Sequence, residues 1–232
     1  MRLKGILAVG AFTLGLGAIV AWPSPTIRGG FDYQPIAATE ARRIITDSTV
    51  KLVTLGCDLN VRNGTAVAIG HGRLVTNRHV VDQARQVDAI PDVGPYSPGV
   101  TAVNRAEVDL ATVGTPGLEL TGIPLATGDP AAGATVTLAG YPGQDPLTIA
   151  TAKVVDYVPG ATVGQAVSVM RLAAGAAVSR PGMSGGPVLD GRGHLAGLIF
   201  GAQSPSGYVL ALPASALRDQ LTRPGAFEAG SC

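Results

Sequence analysis

The sequence has little charge and few aromatic side chains. Of its 232 residues, 14% are charged and 4% are aromatic, and 17 basic against 16 acidic residues leave a formal net charge of +1. Such a balance provides no broad electrostatic field with which to hold nucleic acid or anionic lipid, so we expect no nucleic-acid partner. Disorder is excluded too, because 46% of the residues are hydrophobic whereas disordered chains combine low hydrophobicity with high net charge.

Potential metal ligands and cysteines are equally scarce. The three histidines are scattered and no H-E-x-x-H motif occurs, so we predict no metal site and no cofactor. The two cysteines, Cys57 and Cys232, form an even count, which in an oxidising compartment predicts one disulfide. The alternative is a buried free Cys57 and an exposed Cys232 available for pairing with another molecule.

Glycine and proline are abundant instead, with 32 and 17 residues spread along the chain. This predicts many turns between short strands rather than long helices. From Thr49 onward, about six short β-branched runs lie on each side of a turn-rich centre at Gly114–Pro124. The spacing predicts an all-β fold of paired barrels or a sandwich, with one short helix over Ala214–Leu221 near the end.

The N-terminus is a candidate export segment. Two cations, Arg2 and Lys4, precede the uncharged run Gly5–Ile27, whose apolar heart suits a signal peptide. As a helix, Gly5–Trp22 would also span about 27 Å, just enough to cross a bilayer. Because cleavage after Ala21 would follow an imperfect site, a cleaved signal and a retained hydrophobic anchor helix both stay open. Either one places the rest of the chain outside the cytoplasm.

The segment Pro181–Pro187 (PGMSGGP) is the strongest candidate for a nucleophile. A serine between glycines on a tight turn can expose its hydroxyl, and the flanking glycines leave amide N–H groups uncovered to bind an oxyanion. The run Gly182–Gly186 also matches G-x-S-x-G, the nucleophile elbow of α/β-hydrolases. That elbow requires an acid and then a histidine downstream, and only His194 follows Ser184. A plain hairpin turn is the remaining alternative.

A serine nucleophile needs a base, and His79 is the best placed of the three histidines. It follows an apolar strand, which would present its imidazole at a strand end, whereas His71 and His194 lie in or beside glycine-rich turns. The base in turn needs a buried acceptor to orient it.

Asp109 is the predicted acceptor because it is a carboxylate inside an otherwise apolar strand. Glu107 shares its face at a period of two, so that face could also simply be solvated. The competing carboxylates lie in more polar, turn-like contexts closer to the histidine: Asp82, Asp88 and Asp92.

Three segments, in this order, resemble the catalytic segments of the chymotrypsin-like serine proteases: Thr76–Val81 (TNRHVV), Asp109–Ala111 (DLA) and Gly182–Pro187 (GMSGGP). Within that family they look most like the bacterial exported branch that includes the HtrA-like and MarP-like periplasmic proteases. The resemblance covers residues 47–222. It implies two six-stranded antiparallel barrels, with the active site in the cleft between them.

The resemblance also implies residue roles. Ser184 would attack the scissile carbonyl, His79 would take and return the proton, and Asp109 would orient His79. The amides of Gly182 and Ser184 would form the oxyanion hole. Met183 stands where animal digestive enzymes carry the Asp that captures a newly cut N-terminus, so activation by that ion pair is not expected. A pocket for small or apolar side chains is expected around Val178, Phe200, Gly201 and Gly207.

The sequence therefore predicts an exported serine endopeptidase that cleaves proteins or peptides through an acyl-enzyme intermediate. It would lie in the periplasm or cell envelope, or be secreted, and would contact the membrane through its N-terminal segment if uncleaved. The alternative is a catalytically silent protease-fold binding or scaffold protein. The predicted domains are an export segment (1–21), a linker with a short helix (22–46), a first barrel (47–122), and a second barrel with a C-terminal helix and tail (123–232).

Overall fold

A computed structural model describes residues 35–92, 102–105, 108–115, 117–203, 207–222 and 227–228. The predicted export segment and Cys232 lie outside the described residues. Among the described helices, none has the length and apolar character needed to cross a membrane.

The first described element is helix α1, Ala38–Ser48. It lies in the segment predicted as a linker with a short helix (22–46) and runs two residues past that segment; it follows Ala37, whose backbone is extended (φ −61°, ψ 147°). Ile45 is fully buried in an apolar cluster with Leu195 and Leu217. The helix is therefore part of the packed body rather than of a free tether.

The first antiparallel sheet is formed mainly by the N-terminal half. Its strands are β1 Thr49–Gly56, β2 Val61–Gly70, β3 Arg73–Thr76, β4 Ala84–Pro91, β5 Ala102–Arg105, β6 Ala111–Gly114 and β13 Phe227–Glu228. In the described residues they lie in the spatial order β13-β5-β6-β3-β2-β1-β4. A short helix, α2 (Arg78–Val81), interrupts the series between β3 and β4.

The second sheet consists of β7 Thr135–Gly140, β8 Thr148–Val158, β9 Val169–Ala173, β10 Pro187–Leu189, β11 Leu195–Gln203 and β12 Tyr208–Pro213. It closes on itself as a six-stranded antiparallel barrel, in the order β7-β8-β9-β12-β11-β10. Helix α3 (Ala214–Leu221) follows it and buries Leu217 against the barrel.

The predicted all-β architecture of two antiparallel sheets and a short C-terminal helix is confirmed. The first sheet gains a seventh strand, because the C-terminal strand β13 pairs with β5. The nucleophile-elbow alternative is wrong, since the turn that carries Ser184 leads into strand β10 of an antiparallel barrel and not into a helix.

The two sheets meet through a continuous apolar core. One buried cluster combines Val67 and Val75 of the first sheet with Ala139, Val169 and Leu189 of the second. Because interiors pack about as densely as organic crystals, such a shared core holds the two sheets in one relative position. Side chains contributed by opposite sheets can therefore meet with fixed geometry.

Candidate active site

Strand β3 and helix α2 together place His79. The last residues of β3 are fully buried, and Asn77 leads from the strand into the helix with an extended backbone. His79 Nδ1 lies 2.7 Å from Asp109 Oδ2. The backbone N–H of His79 also donates to Asp109 Oδ1, at 3.0 Å. The same carboxylate thus orients both the ring and the backbone of His79.

Asp109 lies in a bend two residues before β6, not inside a strand as predicted, because the strand begins only at Ala111. Its side chain is only 12% exposed, which disfavours the solvated-face alternative. Both backbone polar groups of Asp109 form hydrogen bonds. Asn77 Nδ2 donates to the Asp109 carbonyl at 2.9 Å, and the Asp109 N–H donates to Gln165 Oε1 at 3.3 Å.

Two opposing effects act on the pKa of Asp109. Burial works to raise the pKa, but the hydrogen bonds from the His79 ring and backbone outweigh it, and the net result is a pKa below the usual range of an aspartate. The carboxylate is therefore ionised throughout the neutral range, as an acceptor for a histidine N–H must be.

This lowered pKa predicts a pH-dependent stability. A carboxyl whose folded-state pKa is depressed stabilises the fold above its unfolded pKa of about 3.9, and that contribution is lost as the pH falls through the lower folded value. We expect the difference in unfolding free energy between wild type and Asp109→Asn to shrink below about pH 4. Urea unfolding between pH 3 and 6 measures this difference in unfolding free energy. A difference that grows as the pH falls contradicts the prediction. Thr115→Val, which changes no ionisable group, is the control.

Among the described residues, neither of the other histidines forms a hydrogen bond or an ion pair with this carboxylate. His194 Nδ1 lies 3.7 Å from Asp190 Oδ2, at the far side of the β10–β11 hairpin. His71 is in the tight turn between β2 and β3, with a left-handed backbone (φ +56°). Of the competing carboxylates, Asp88 accepts hydrogen bonds from Gln86. The structure thus brings together the predicted histidine and the predicted aspartate.

Ser184 lies in the tight turn before β10. Gly182 has a left-handed backbone (φ +95°), and a Cβ there would collide with the Tyr141 carbonyl, so only glycine fits. The Ser184 hydroxyl donates to the Phe200 carbonyl at 3.4 Å, a long bond, and makes none to the His79 ring in the described structure.

Two amide N–H groups of this turn have no hydrogen-bond acceptor in the described residues. In the described residues, neither the Gly182 N–H nor the Ser184 N–H donates to an acceptor. The carbonyls of the same two peptide groups are held from the opposite side: Pro181 O accepts from Gly143 N–H and Met183 O from Gly186 N–H, both at 2.9 Å. Since the C=O and N–H of a trans peptide point in opposite directions, both free amides point away from these anchors.

The turn packs directly against the first sheet. The Thr65 N–H donates to the Ser184 carbonyl at 2.8 Å. A Cβ on Gly185 would collide with the Thr65 carbonyl and the Thr76 hydroxyl. Thr76 ends strand β3, three residues before His79, so this packing brings the serine turn to the end of the strand from which the histidine projects.

A cavity of about 250 Å³ opens beside Ser184. Val178 and Gly201 line it as predicted, whereas Phe200 and Gly207 are not among its lining residues. Phe200 presents its carbonyl to Ser184, and the Gly207 carbonyl accepts a hydrogen bond from Ser179. The complete lining is Val178, Ser179, Arg180, Pro181, Met183, Ser184, Ile199, Gly201 and Ala202.

Met183 is buried, 2% exposed, and packs against Gly140. It occupies apolar surroundings, as expected for a chain that does not use an aspartate here. Cys57 is not a free cysteine. Its predicted partner Cys232 lies outside the described residues, so that pairing stays a prediction.

Sequence reasoning did not identify Thr65 or Gln165. Thr65 begins the otherwise apolar run Thr65–Ile69 of β2, which is a weak signal that its hydroxyl has a buried partner. Gln165 lies in a loop between the 3₁₀ turn Gly160–Val163 and strand β9, where nothing in the sequence distinguishes it from a solvated side chain. Both act on residues more than 50 positions away in the chain.

Two antiparallel β-sheets, a histidine paired with a largely buried aspartate, and a glycine-rich serine turn define the class of trypsin-like peptidases. Residues 64–198 match the family of trypsin-like peptidase domains, and the chain belongs to that family. Serine protease Rv3671c of Mycobacterium tuberculosis is 30% identical over an alignment of 230 positions. That alignment covers 92% of this chain and 53% of the relative, so the chain spans about half the length of the curated relative.

Solved structures agree with this assignment. The crystal structure of the active form of the Rv3671c protease from M. tuberculosis matches with a TM-score of 0.69 and 26% identity, over 82% of this chain and 87% of that one. An HtrA-type protease, AlgW with a tripeptide, matches with a TM-score of 0.70 and 22% identity, over 79% of this chain and 62% of that one. The second likeness supports the fold alone.

Proposed function

We propose that this chain is a serine endopeptidase that hydrolyses peptide bonds in proteins or peptides through Ser184, His79 and Asp109. The observation that carries the proposal is the His79–Asp109 pair: a buried, ionised carboxylate holds the ring through Nδ1 at 2.7 Å and the backbone at 3.0 Å. This is the arrangement that leaves Nε2 of the ring free to accept a proton.

The reaction would proceed by acyl transfer. Ser184 Oγ would turn from the Phe200 carbonyl to the His79 ring, lose its proton to Nε2 and attack the scissile carbonyl. The oxyanion that forms would accept hydrogen bonds from the free amides of Gly182 and Ser184. His79 would then give the proton to the leaving amine, and a water activated by the same ring would hydrolyse the acyl-enzyme.

The catalytically silent alternative requires a blocked cleft. The open cavity beside Ser184 argues against such blocking by the described loops. A fluorophosphonate probe tests the point directly, because it labels only an activated serine. We expect labelling of the folded protein between pH 5 and 9, and a complete lack of labelling over that range contradicts the proposal.

The cavity is the proposed binding site for the side chain that precedes the scissile bond. Its walls are mostly small or aliphatic, and Arg180, the one cation among its lining residues, is paired with Asp145 at 2.6 Å. Val178 is almost fully buried, at 1% exposed. These surroundings favour uncharged substrate side chains, because a charge placed there would lose hydration without gaining a partner.

A substitution at Gly201 tests this assignment. A Cβ at Gly201 meets no atom within 4 Å, so the fold should accept Gly201→Leu while the new side chain occupies the cavity. We expect kcat/KM for substrates with leucine before the scissile bond to fall by about 10- to 200-fold. Gly128→Leu, which also meets open space but lies away from the cavity, is the control. Equal kcat/KM values in both variants and the wild type would contradict the assignment of this cavity as the binding site for the substrate side chain.

We also propose that the chain is exported, to the cell envelope or the medium, and that Cys57 pairs with Cys232. N-terminal sequencing of the mature protein separates the two forms of export: a start near Trp22 indicates a cleaved signal and residue 1 a retained anchor. Mass spectrometry of the unreduced, cysteine-alkylated protein tests the disulfide, since an internal bridge adds no alkyl group.

A further inference from the structure

Thr65 of strand β2 uses every polar group it has. Its N–H donates to the Ser184 carbonyl, and its carbonyl accepts from Thr76 Oγ1 at 2.7 Å. Its hydroxyl donates to the Gly182 carbonyl at 2.8 Å and accepts from the Tyr141 N–H at 3.0 Å. The residue is fully buried, so no water competes for these bonds.

The Thr65 hydroxyl contacts the peptide group that lies between the two free amides. The two free amides belong to the peptides 181–182 and 183–184, which are anchored through their own carbonyls by Gly143 and Gly186. The peptide between them, 182–183, has its carbonyl held by Thr65 Oγ1. Because each amide's direction depends on the dihedral angles next to this central peptide, holding it fixes the angle between the two N–H groups.

The opposite face of the central peptide is held less firmly. The Met183 N–H donates to the Arg180 carbonyl at 3.3 Å, which is longer than the Thr65 contact. Gly182 itself resists rotation less than other residues would, since it has no Cβ. The Thr65 hydroxyl is thus the shorter of the two hydrogen bonds that hold this peptide.

We propose that Thr65 is a positioning residue for the oxyanion hole, its hydroxyl aligning the Gly182 and Ser184 amides from the opposite barrel. This inference rests on the proposed function, because it presumes that those amides bind an oxyanion. It explains why a hydroxyl stands in the otherwise apolar run Thr65–Ile69 of β2. A valine of the same shape would leave the Gly182 carbonyl and the Tyr141 N–H buried without their partner.

The experiment compares Thr65→Val with Thr65→Ser and with a matched control, Thr115→Val. Thr115 is also buried and donates its hydroxyl to a backbone carbonyl, that of Gly72 at 3.1 Å, far from the serine turn. Hydrolysis of a peptidyl p-nitroanilide with leucine before the scissile bond gives kcat and KM. Because removal of one oxyanion donor costs about 100- to 1,000-fold, a misaligned pair in Thr65→Val should lower kcat by about 10- to 100-fold.

Three further results distinguish positioning from a general structural role. KM should stay within about threefold of wild type, because ground-state binding does not use the oxyanion. Affinity for the matching peptidyl aldehyde, which forms a tetrahedral adduct, should fall in parallel with kcat. Thr65→Ser should restore kcat to within about threefold, since it keeps the hydroxyl.

An unchanged kcat in folded Thr65→Val, or an equal loss in Thr115→Val, overturns the role of Thr65. If Thr65→Val does not fold, the smaller Thr65→Ala replaces it under the same criteria. A wild-type protein that neither hydrolyses the substrate nor reacts with the fluorophosphonate probe contradicts the proposed function itself. An active wild type with an equally active variant contradicts only this inference.

Discussion

Replacing Ser184 with alanine is expected to lower kcat by about a million-fold, to the residual rate that binding and the oxyanion amides alone supply. The reason is that alanine removes the only atom able to form the acyl-enzyme. The fold should be unaffected, because the lost hydroxyl makes only a long 3.4 Å bond to Phe200. Unfolding in urea should therefore give the wild-type stability within about 0.5 kcal/mol.

The measurement is hydrolysis of a fluorescently quenched protein substrate together with fluorophosphonate labelling. Ser215→Ala is the matched control: Ser215 bonds Asp129 at the start of α3, outside the site, and both activity and labelling should persist there. Hydrolysis by Ser184→Ala above about one thousandth of the wild-type rate would assign the activity to another residue or to a contaminant.

Asp109→Asn should lower kcat by about 10,000-fold with little change in KM. The geometry gives a specific reason. The backbone N–H of His79 donates to one side-chain oxygen of Asp109, so the oxygen of an asparagine should take that position. Its NH₂ would then face Nδ1 of His79 as a donor, and the ring would have to carry its proton on Nε2. A ring protonated on Nε2 cannot accept the proton of Ser184.

A second aspartate–histidine pair provides the control. Asp190 lies beside His194 and accepts hydrogen bonds from the backbone N–H groups of Arg192 and His194. Asp190→Asn therefore makes the same chemical change away from the serine turn, and kcat should remain within about threefold of wild type. If Asp109→Asn keeps more than about a tenth of the wild-type kcat, then Asp109 does not orient the base.

Local chemistry singled out the candidate site residues. A serine between glycines needs a particular backbone, and this requirement is visible in PGMSGGP without any structure. His79 follows an apolar strand and Asp109 interrupts an apolar run, so each is conspicuous against its neighbours. The resemblance of these segments to the chymotrypsin-like proteases implied two six-stranded barrels, and the described residues form one closed six-stranded barrel and one seven-stranded antiparallel sheet within a trypsin-like domain.

The residues that line the cavity were predicted only in part. Val178 and Gly201 line the cavity, but Phe200 and Gly207 do not. Adjacent residues of a strand point to opposite faces, so placing one of them in a wall requires the register of β11, and that strand has an irregularity between Ile199 and Gly201. A bulge of this kind changes which side chains of β11 face the cavity, and the amino-acid sequence of the strand does not predict where it occurs.

The amino-acid sequence by itself indicated the strand-rich fold class, the serine turn, and the candidate histidine and aspartate, because each follows from backbone preferences or contrasts within a few residues. Only the tertiary structure shows which contacts hold these residues in their positions relative to one another. Thr65 reaches Gly182 across 117 positions, Gln165 reaches Asp109 across 56, and β13 returns from the C-terminal end to join the first sheet. Such contacts depend on how two barrels pack on a shared apolar core, which no local pattern encodes.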